Sequence, residues 1–291
     1  MSAYTVQSSA SSNIQLLKSL RELWFHTGTA CNLNCPFCLE GSGPGDSRLQ
    51  RIKLDDIKAY IEDASRSGVE RFGFTGGEPL IVKDIIKILE YALALKPCVL
   101  LTNGTAPLIK RAHQLELLKR QPNAVAFWVS IDYPDEQRHD AGRGMGNFRK
   151  AMEGIKLLHD HGFAVSLTRQ VEADENTMEV EARFRSVLRK FRLSEHIVVG
   201  SLPDFGVPGI RREAAARGKP ESNPVEPMCS YSRMIVKQAG AMRVYACPFV
   251  DDDLRFDLGA DLATTLAASV QTSHHRCETC CAFGAGCRLA A

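Results

Sequence analysis

The chain has 291 residues, 44% of them hydrophobic and 24% charged, with a net charge of only +2. That length supports one large domain, or one with a small appendage. The near-neutral balance gives no electrostatic case for nucleic acid or an anionic membrane. No apolar run approaches membrane-spanning length, and the polar, serine-rich start lacks the apolar stretch of a secretory signal. A cytoplasmic protein with reduced thiols is expected.

In chain order, residues 1–15 are expected to be disordered. From Leu23 to Leu202, short apolar runs read as buried parallel strands: Leu23–Thr27, Arg71–Thr75, Val99–Thr102, Val125–Ile131, Ala164–Val171 and Ile197–Leu202. Helical faces lie between them. Ile57, Ile61 and Ala64 form one, and Ile85, Ile86, Leu89 and Leu93 the next. Leu115 with Leu118, Phe148 to Leu158, and Val180 to Phe191 continue the pattern. Six strand–helix units in series imply an α/β fold with a parallel sheet and right-handed crossovers. They are too few for an eight-unit barrel. Residues 207–227 are polar and proline-punctuated and read as a linker. In residues 228–291, Met234–Lys237 and Met242–Ala246 read as a hairpin, and a helix is expected over about Leu262–Ser273.

The ten cysteines are distributed unevenly. Cys31, Cys35 and Cys38 share one loop after the first predicted strand. Cys229, Cys247, Cys277, Cys280, Cys281 and Cys287 gather near the end, and Cys98, alone, is expected to be a buried structural thiol. In a reducing compartment such groups point to metal rather than disulfides. Three thiolates hold three irons of a [4Fe–4S] cluster and leave the fourth open, whereas structural zinc wants four ligands. Gly76-Gly77-Glu78-Pro79 follows the second strand and offers close backbone approach and a carboxylate for an ammonium group. A tight strand-to-helix turn is its plain structural reading.

Together, the Cys-x3-Cys-x2-Cys loop and the Gly-Gly-Glu-Pro turn resemble the radical S-adenosylmethionine (SAM) superfamily. The resemblance implies a partial (β/α)6 TIM-like barrel over residues 16–206, with a [4Fe–4S] cluster on Cys31, Cys35 and Cys38 at its C-terminal mouth. It implies SAM held by Phe37, Gly76, Gly77, Glu78, Asn103, Ser130, Asp132 and Arg143, with Arg143 on the methionine carboxylate. Arg169 and Glu172 are weaker candidates for substrate or cofactor contact. Residues 228–291 resemble the twitch domain, the shortened relative of the SPASM domain. That implies one auxiliary [4Fe–4S] cluster on Cys229, Cys247, Cys277 and Cys280, with Cys287 as substitute. A four-cysteine zinc knuckle is also permitted by the spacing.

Within such a superfamily, the expected activity is reductive cleavage of SAM to a 5′-deoxyadenosyl radical. Hydrogen abstraction from a small polar metabolite follows, leading to oxidation. Epimerisation with Cys281 or Cys287 as hydrogen donor is an alternative, as are modification of a ribosomally made peptide and a non-catalytic metal protein. A flavodoxin or ferredoxin is the expected electron donor.

Overall fold

The computed structural model of the protein describes residues 14–172, 175–207 and 226–284. The elements are, in order, β1 (Ile14–Leu16), β2 (Glu22–His26), α1 (Leu54–Arg66), β3 (Arg71–Thr75), α2 (Ile85–Leu93), β4 (Cys98–Thr102), α3 (Ala106–Lys110), α4 (Leu115–Lys119) and β5 (Val125–Ser130). There follow α5 (Glu136–Arg143), α6 (Asn147–Asp160), β6 (Ala164–Gln170), α7 (Thr177–Lys190), β7 (Val199–Leu202), β8 (Ser232–Gln238) and β9 (Ala241–Tyr245). The last three are α8 (Leu262–Thr265), β10 (Ser269–Gln271) and α9 (His275–Phe283). Eight strands form one sheet in the order β7-β6-β5-β4-β3-β2-β8-β9. The six strands β2 to β7 run parallel, as expected for a partial barrel.

Period-two alternation divides the interior into two cores. Leu23, Phe25, Phe72, Phe74, Leu100, Phe127 and Val129 face the helices. Trp24, Val99, Trp128, Met234 and Val236 face the other way, into the curve of the sheet. Gly73 makes that inner packing possible. A Cβ there would lie 2.3 Å from the Trp24 indole, whose ring meets Trp128 at a centroid distance of 6.1 Å. The two tryptophans fill the inner side of the sheet, and Trp24 also lines the cleft described below. Cys98 opens β4 and is buried.

Three expectations are corrected. The C-terminal hairpin is not set apart from the barrel: β8 lies parallel to β2, with Trp24 opposite Met234, and extends the same sheet. The helix expected over Leu262–Ser273 stops at Thr265, and Ser269–Gln271 becomes a strand. That strand pairs with Ile14–Leu16, so Ile14 and Gln15 are ordered by a long-range partner rather than disordered. The rest of the 1–15 expectation, most of the 207–227 linker and Cys287 lie outside the described residues. Helices α3 and α5 carry too little apolar periodicity to be legible in the sequence. Within α5 only His139 and Asp140 are buried.

Candidate active site

The C-terminal ends of β2 to β6, and the loops after them, surround an open cleft. The position is the one that parallel-strand folds use for chemistry.

One wall is the loop after β2. Its base is tied down by Thr27 N–H to Thr75 O (2.8 Å), Thr29 N–H to Leu49 O (3.1 Å) and Cys31 N–H to Gly43 O (3.1 Å). Two successive turns, Cys38 N–H to Cys35 O and Gly41 N–H to Cys38 O, coil the segment bearing the second and third cysteines. All three thiols are half-buried. Burial pushes each of them up, Cys31 to about 11, and nearby thiolates add to the effect at Cys31 and Cys35. Left alone they stay protonated at neutral pH, and a cationic partner reverses that by binding the thiolate form. Leu33 N–H donates to Cys31 Sγ at 3.4 Å, and Asn103 Nδ2 stands 3.9 Å from the same sulfur.

The Gly-Gly-Glu-Pro turn locks onto this loop. Gly77 N–H donates to Gly28 O (2.9 Å) and Glu78 N–H to Ala30 O (3.1 Å). Gly76 adopts φ +139°, and a Cβ on Gly77 would lie 2.2 Å from Ala30 O. Both glycines are required by backbone approach to the cysteine loop, and both line the cleft. The expected carboxylate for an ammonium group is a correction. Glu78 is buried and turned inward, accepting from Leu80 N–H (3.0 Å), Thr102 Oγ1 (2.8 Å) and Asn103 N–H (2.8 Å). Burial raises it to about 7 even against those donors. It braces the end of β4 and leaves the ligand side to the backbone. Asn103, held by Asn32 Oδ1 (3.0 Å), faces the cleft beside Cys31.

Ser130, Asp132 and Arg143 meet on the same wall. Arg143 donates to Asp132 through Nε and through Nη2 (3.1 Å). Burial alone would lower its pKa, and the Asp132 carboxylate outweighs burial and holds it above the ordinary range. The expected fork for a carboxylate is therefore partly occupied by Asp132. The Arg143 guanidinium lies 5.7 Å from the Phe37 ring centroid. Phe37 in turn packs on Gly142, where a Cβ would lie 2.3 Å from its ring.

Arg169 also reaches the cleft wall, with its side chain buried and paired to Glu175 (Nη1 to Oε2, 2.7 Å). Glu172 does not. It binds Tyr133 (2.8 Å) and Arg138 (2.9 Å) on the exposed side of the strand end, which corrects its placement at the mouth.

The second cysteine group forms its own pocket. Cys229, Cys247, Cys277, Cys280 and Cys281 line it together with Phe249 and Val250. Cys277, Cys280 and Cys281 sit on one face of α9 at positions i, i+3 and i+4. Cys229, Cys247 and Cys280 are buried, Cys277 is half-buried and Cys281 is exposed. Burial pushes Cys229 and Cys277 up to about 12 and Cys280 to about 11, and Cys247 well above its ordinary value. Two buried arginines, which sequence reasoning missed, flank this group. Arg233 donates to Cys229 O (2.8 Å) and Ser232 O (2.9 Å). Arg276 reaches Phe249 O and Leu39 O. The available signal was a charge within or beside an otherwise apolar or cysteine-bearing run.

Among the described residues, the trio of potential ligand groups lying within 4.8 Å of one another is His26, Glu40 and Asp251. Gly28 N–H donates to His26 Nδ1 at 3.2 Å, which keeps the ring proton on Nε2, toward Glu40 (3.1 Å). The Nε2 proton is thus taken by Glu40, while Asp251 Oδ2, 3.7 Å away, is buried without a hydrogen-bond partner, and that nitrogen offers no lone pair to a cation. Among the described residues, neither cysteine group is gathered so tightly. Thiolates sharing one zinc at about 2.3 Å sit only about 3.8 Å apart.

The family model described as the radical SAM superfamily matches residues 25–182, more than half of the chain. The chain belongs to that superfamily of enzymes, whose cofactors are a [4Fe–4S] cluster and SAM. Among curated relatives, it is 32% identical over 152 residues to the antilisterial bacteriocin subtilosin biosynthesis protein AlbA of Bacillus subtilis, covering 52% of this chain and 33% of AlbA. It spans between a third and a half of the length of the curated relatives it matches. Among solved structures, Streptococcus suis SuiB bound to SAM matches 87% of this chain and 67% of its own, with a TM-score of 0.66 at 14% identity. SuiB bound to the precursor peptide SuiA matches 65% of this chain and 40% of its own, with a TM-score of 0.54 at 16% identity. These likenesses concern the fold.

Proposed function

We propose that the protein oxidises a small polar substrate by radical chemistry, with an auxiliary cluster as acceptor of the second electron. The carrying observation is that Phe249 lines both the cleft and the second cysteine pocket, and Met228, beside Cys229, lines the cleft as well. An electron acceptor in the second pocket is then one side chain away from a substrate in the first.

In this reading Cys31, Cys35 and Cys38 hold the first cluster and Cys229, Cys247, Cys277 and Cys280 the second. Thiols with raised pKa in apolar surroundings suit a cationic iron–sulfur core, and the spread of the sulfurs suits a multi-iron group better than a single zinc. The cleft-lining backbone of Gly76 and Gly77 holds the methionine end of SAM. Asn103, Ser130 and the Asp132–Arg143 pair shape the cofactor's polar surroundings, and Phe37 lies beside the adenine. Together the cluster and SAM supply a 5′-deoxyadenosyl radical. Hydrogen abstraction at a carbon bearing a hydroxyl leaves a carbon radical. Loss of one electron to the second site, and of the hydroxyl proton to cleft water, yields a carbonyl. A flavodoxin or ferredoxin supplies the initiating electron.

Turnover of the reconstituted enzyme in deuterated water tests this. A new carbonyl with one 5′-deoxyadenosine per product and no solvent deuterium at the reacting carbon is expected. Deuterium there, without oxidation, overturns it in favour of epimerisation. Against that alternative, Cys281 lines the second pocket rather than the cleft. A peptide substrate is the second reading, favoured by the name of AlbA and the precursor peptide on SuiB. Product formed only from a precursor peptide, and from no small polyol or amino sugar, decides for it.

A further inference from the structure

We infer that Arg276 is a positioning residue that couples the two cysteine sites mechanically and electrostatically. This rests on the proposed auxiliary cluster. The side chain is 1% exposed and binds backbone carbonyls of three separate segments. Nη2 donates to Leu39 O at 2.9 Å, the residue after Cys38. Nη1 donates to Phe249 O at 3.1 Å, two residues after Cys247. Nη2 also lies 3.4 Å from Gly206 O, and Arg276 itself precedes Cys277. One guanidinium therefore ties the first cysteine loop, the hairpin exit and helix α9 together, and its planar fork is suited to several acceptors at once.

The charge matters as much as the bonds. Of the facing acids, Asp252 Oδ1 is 3.9 Å from Nη1, and Asp251 stands in the same buried patch. The ion pair with Asp252 is long and neither acid makes a close bidentate contact with Arg276, so the guanidinium charge between the two sites is only partly offset, where low polarity preserves its reach. A cation there favours the reduced, more negative state of both clusters. Arg233, by contrast, bonds Cys229 O, with nothing from the first loop among its partners, and marks the local case.

The test is iron content with redox potentiometry followed by electron paramagnetic resonance, on the reconstituted full chain. Arg276→Met is expected to retain about eight irons and to move both clusters to more negative potentials. Arg276→Lys, which keeps the charge, is expected to return both most of the way. Arg233→Met is expected to shift the second cluster alone. Eight irons in Arg276→Met with an unchanged first-cluster potential overturns the coupling. Should Arg276→Met not accumulate, Cys277→Ser carries the test. Loosening α9 must alter the resonance of the first cluster, and an unaltered signal overturns the proposal. Wild-type protein with only about four irons defeats the auxiliary-cluster reading itself, which is a separate failure.

Discussion

The two cysteine groups are built on opposite plans. Cys31, Cys35 and Cys38 come from eight consecutive residues, are half-buried and open onto the large cleft. Cys229, Cys247, Cys277 and Cys280 come from three separated segments, and three of the four are buried in a narrow apolar pocket. The first arrangement leaves room for a ligand beside the thiols. The second closes around them, which in the proposed reading suits a cluster that only transfers electrons. In the proposed reading, openness separates a site for bond-breaking from one for storing charge, although both use thiols raised by burial.

The largest expected effect breaks the comparison at its centre. Cys35→Ala should abolish 5′-deoxyadenosine formation, a loss of at least about a thousandfold, while the second pocket keeps about four irons. Cys247→Ser should do the reverse, keeping SAM cleavage within about tenfold while oxidised product disappears. Chromatography of 5′-deoxyadenosine and of product in both variants checks the pair. Equal losses of both products in both variants would mean that the sites do not divide the work.

A smaller effect sharpens the picture of the open site. Gly142→Ala places a methyl against the Phe37 ring, where the ideal Cβ contact is only 2.3 Å. The ring must move, and SAM affinity should fall about tenfold, a change of about 1.4 kcal/mol. Calorimetric titration of reconstituted protein measures it, and unchanged affinity would remove Phe37 from the adenine site.

The last effect concerns stability rather than turnover, in the support behind the site. Glu78 has a folded pKa of about 7, above its unfolded value of 4.5. The folded state thus binds more protons across that interval, and stability from this group is present below about pH 4.5 and is lost as pH rises toward 7. Glu78→Gln should flatten that decline, worth up to about 3 kcal/mol. Thermal melts at pH 5 and pH 7 compare the slopes, and identical slopes would mean the carboxylate is not strained by burial.

Much of the barrel was legible because each strand needs only its own apolar run, and each helix only its own stripe. The cysteine loop and the glycine turn were legible for a related reason, since each packs several chemical constraints into a few neighbouring residues. Partner choice was not legible. Nothing local in Ile14–Leu16 or Ser269–Gln271 says that they pair, because backbone hydrogen bonds between distant segments leave no pattern in either one. Nor does the hairpin reveal that β8 will dock beside β2. The inward turn of Glu78 also depends on where Thr102 and Asn103 arrive, and the occupation of Arg143 depends on Asp132 across a loop. By itself the sequence determined the α/β class, the strand series and which thiols belong together. Tertiary structure alone decided which polar groups are already satisfied by the protein. It also decided that Arg276 stands between the two thiol sites, because burial and long-range contact set those energies.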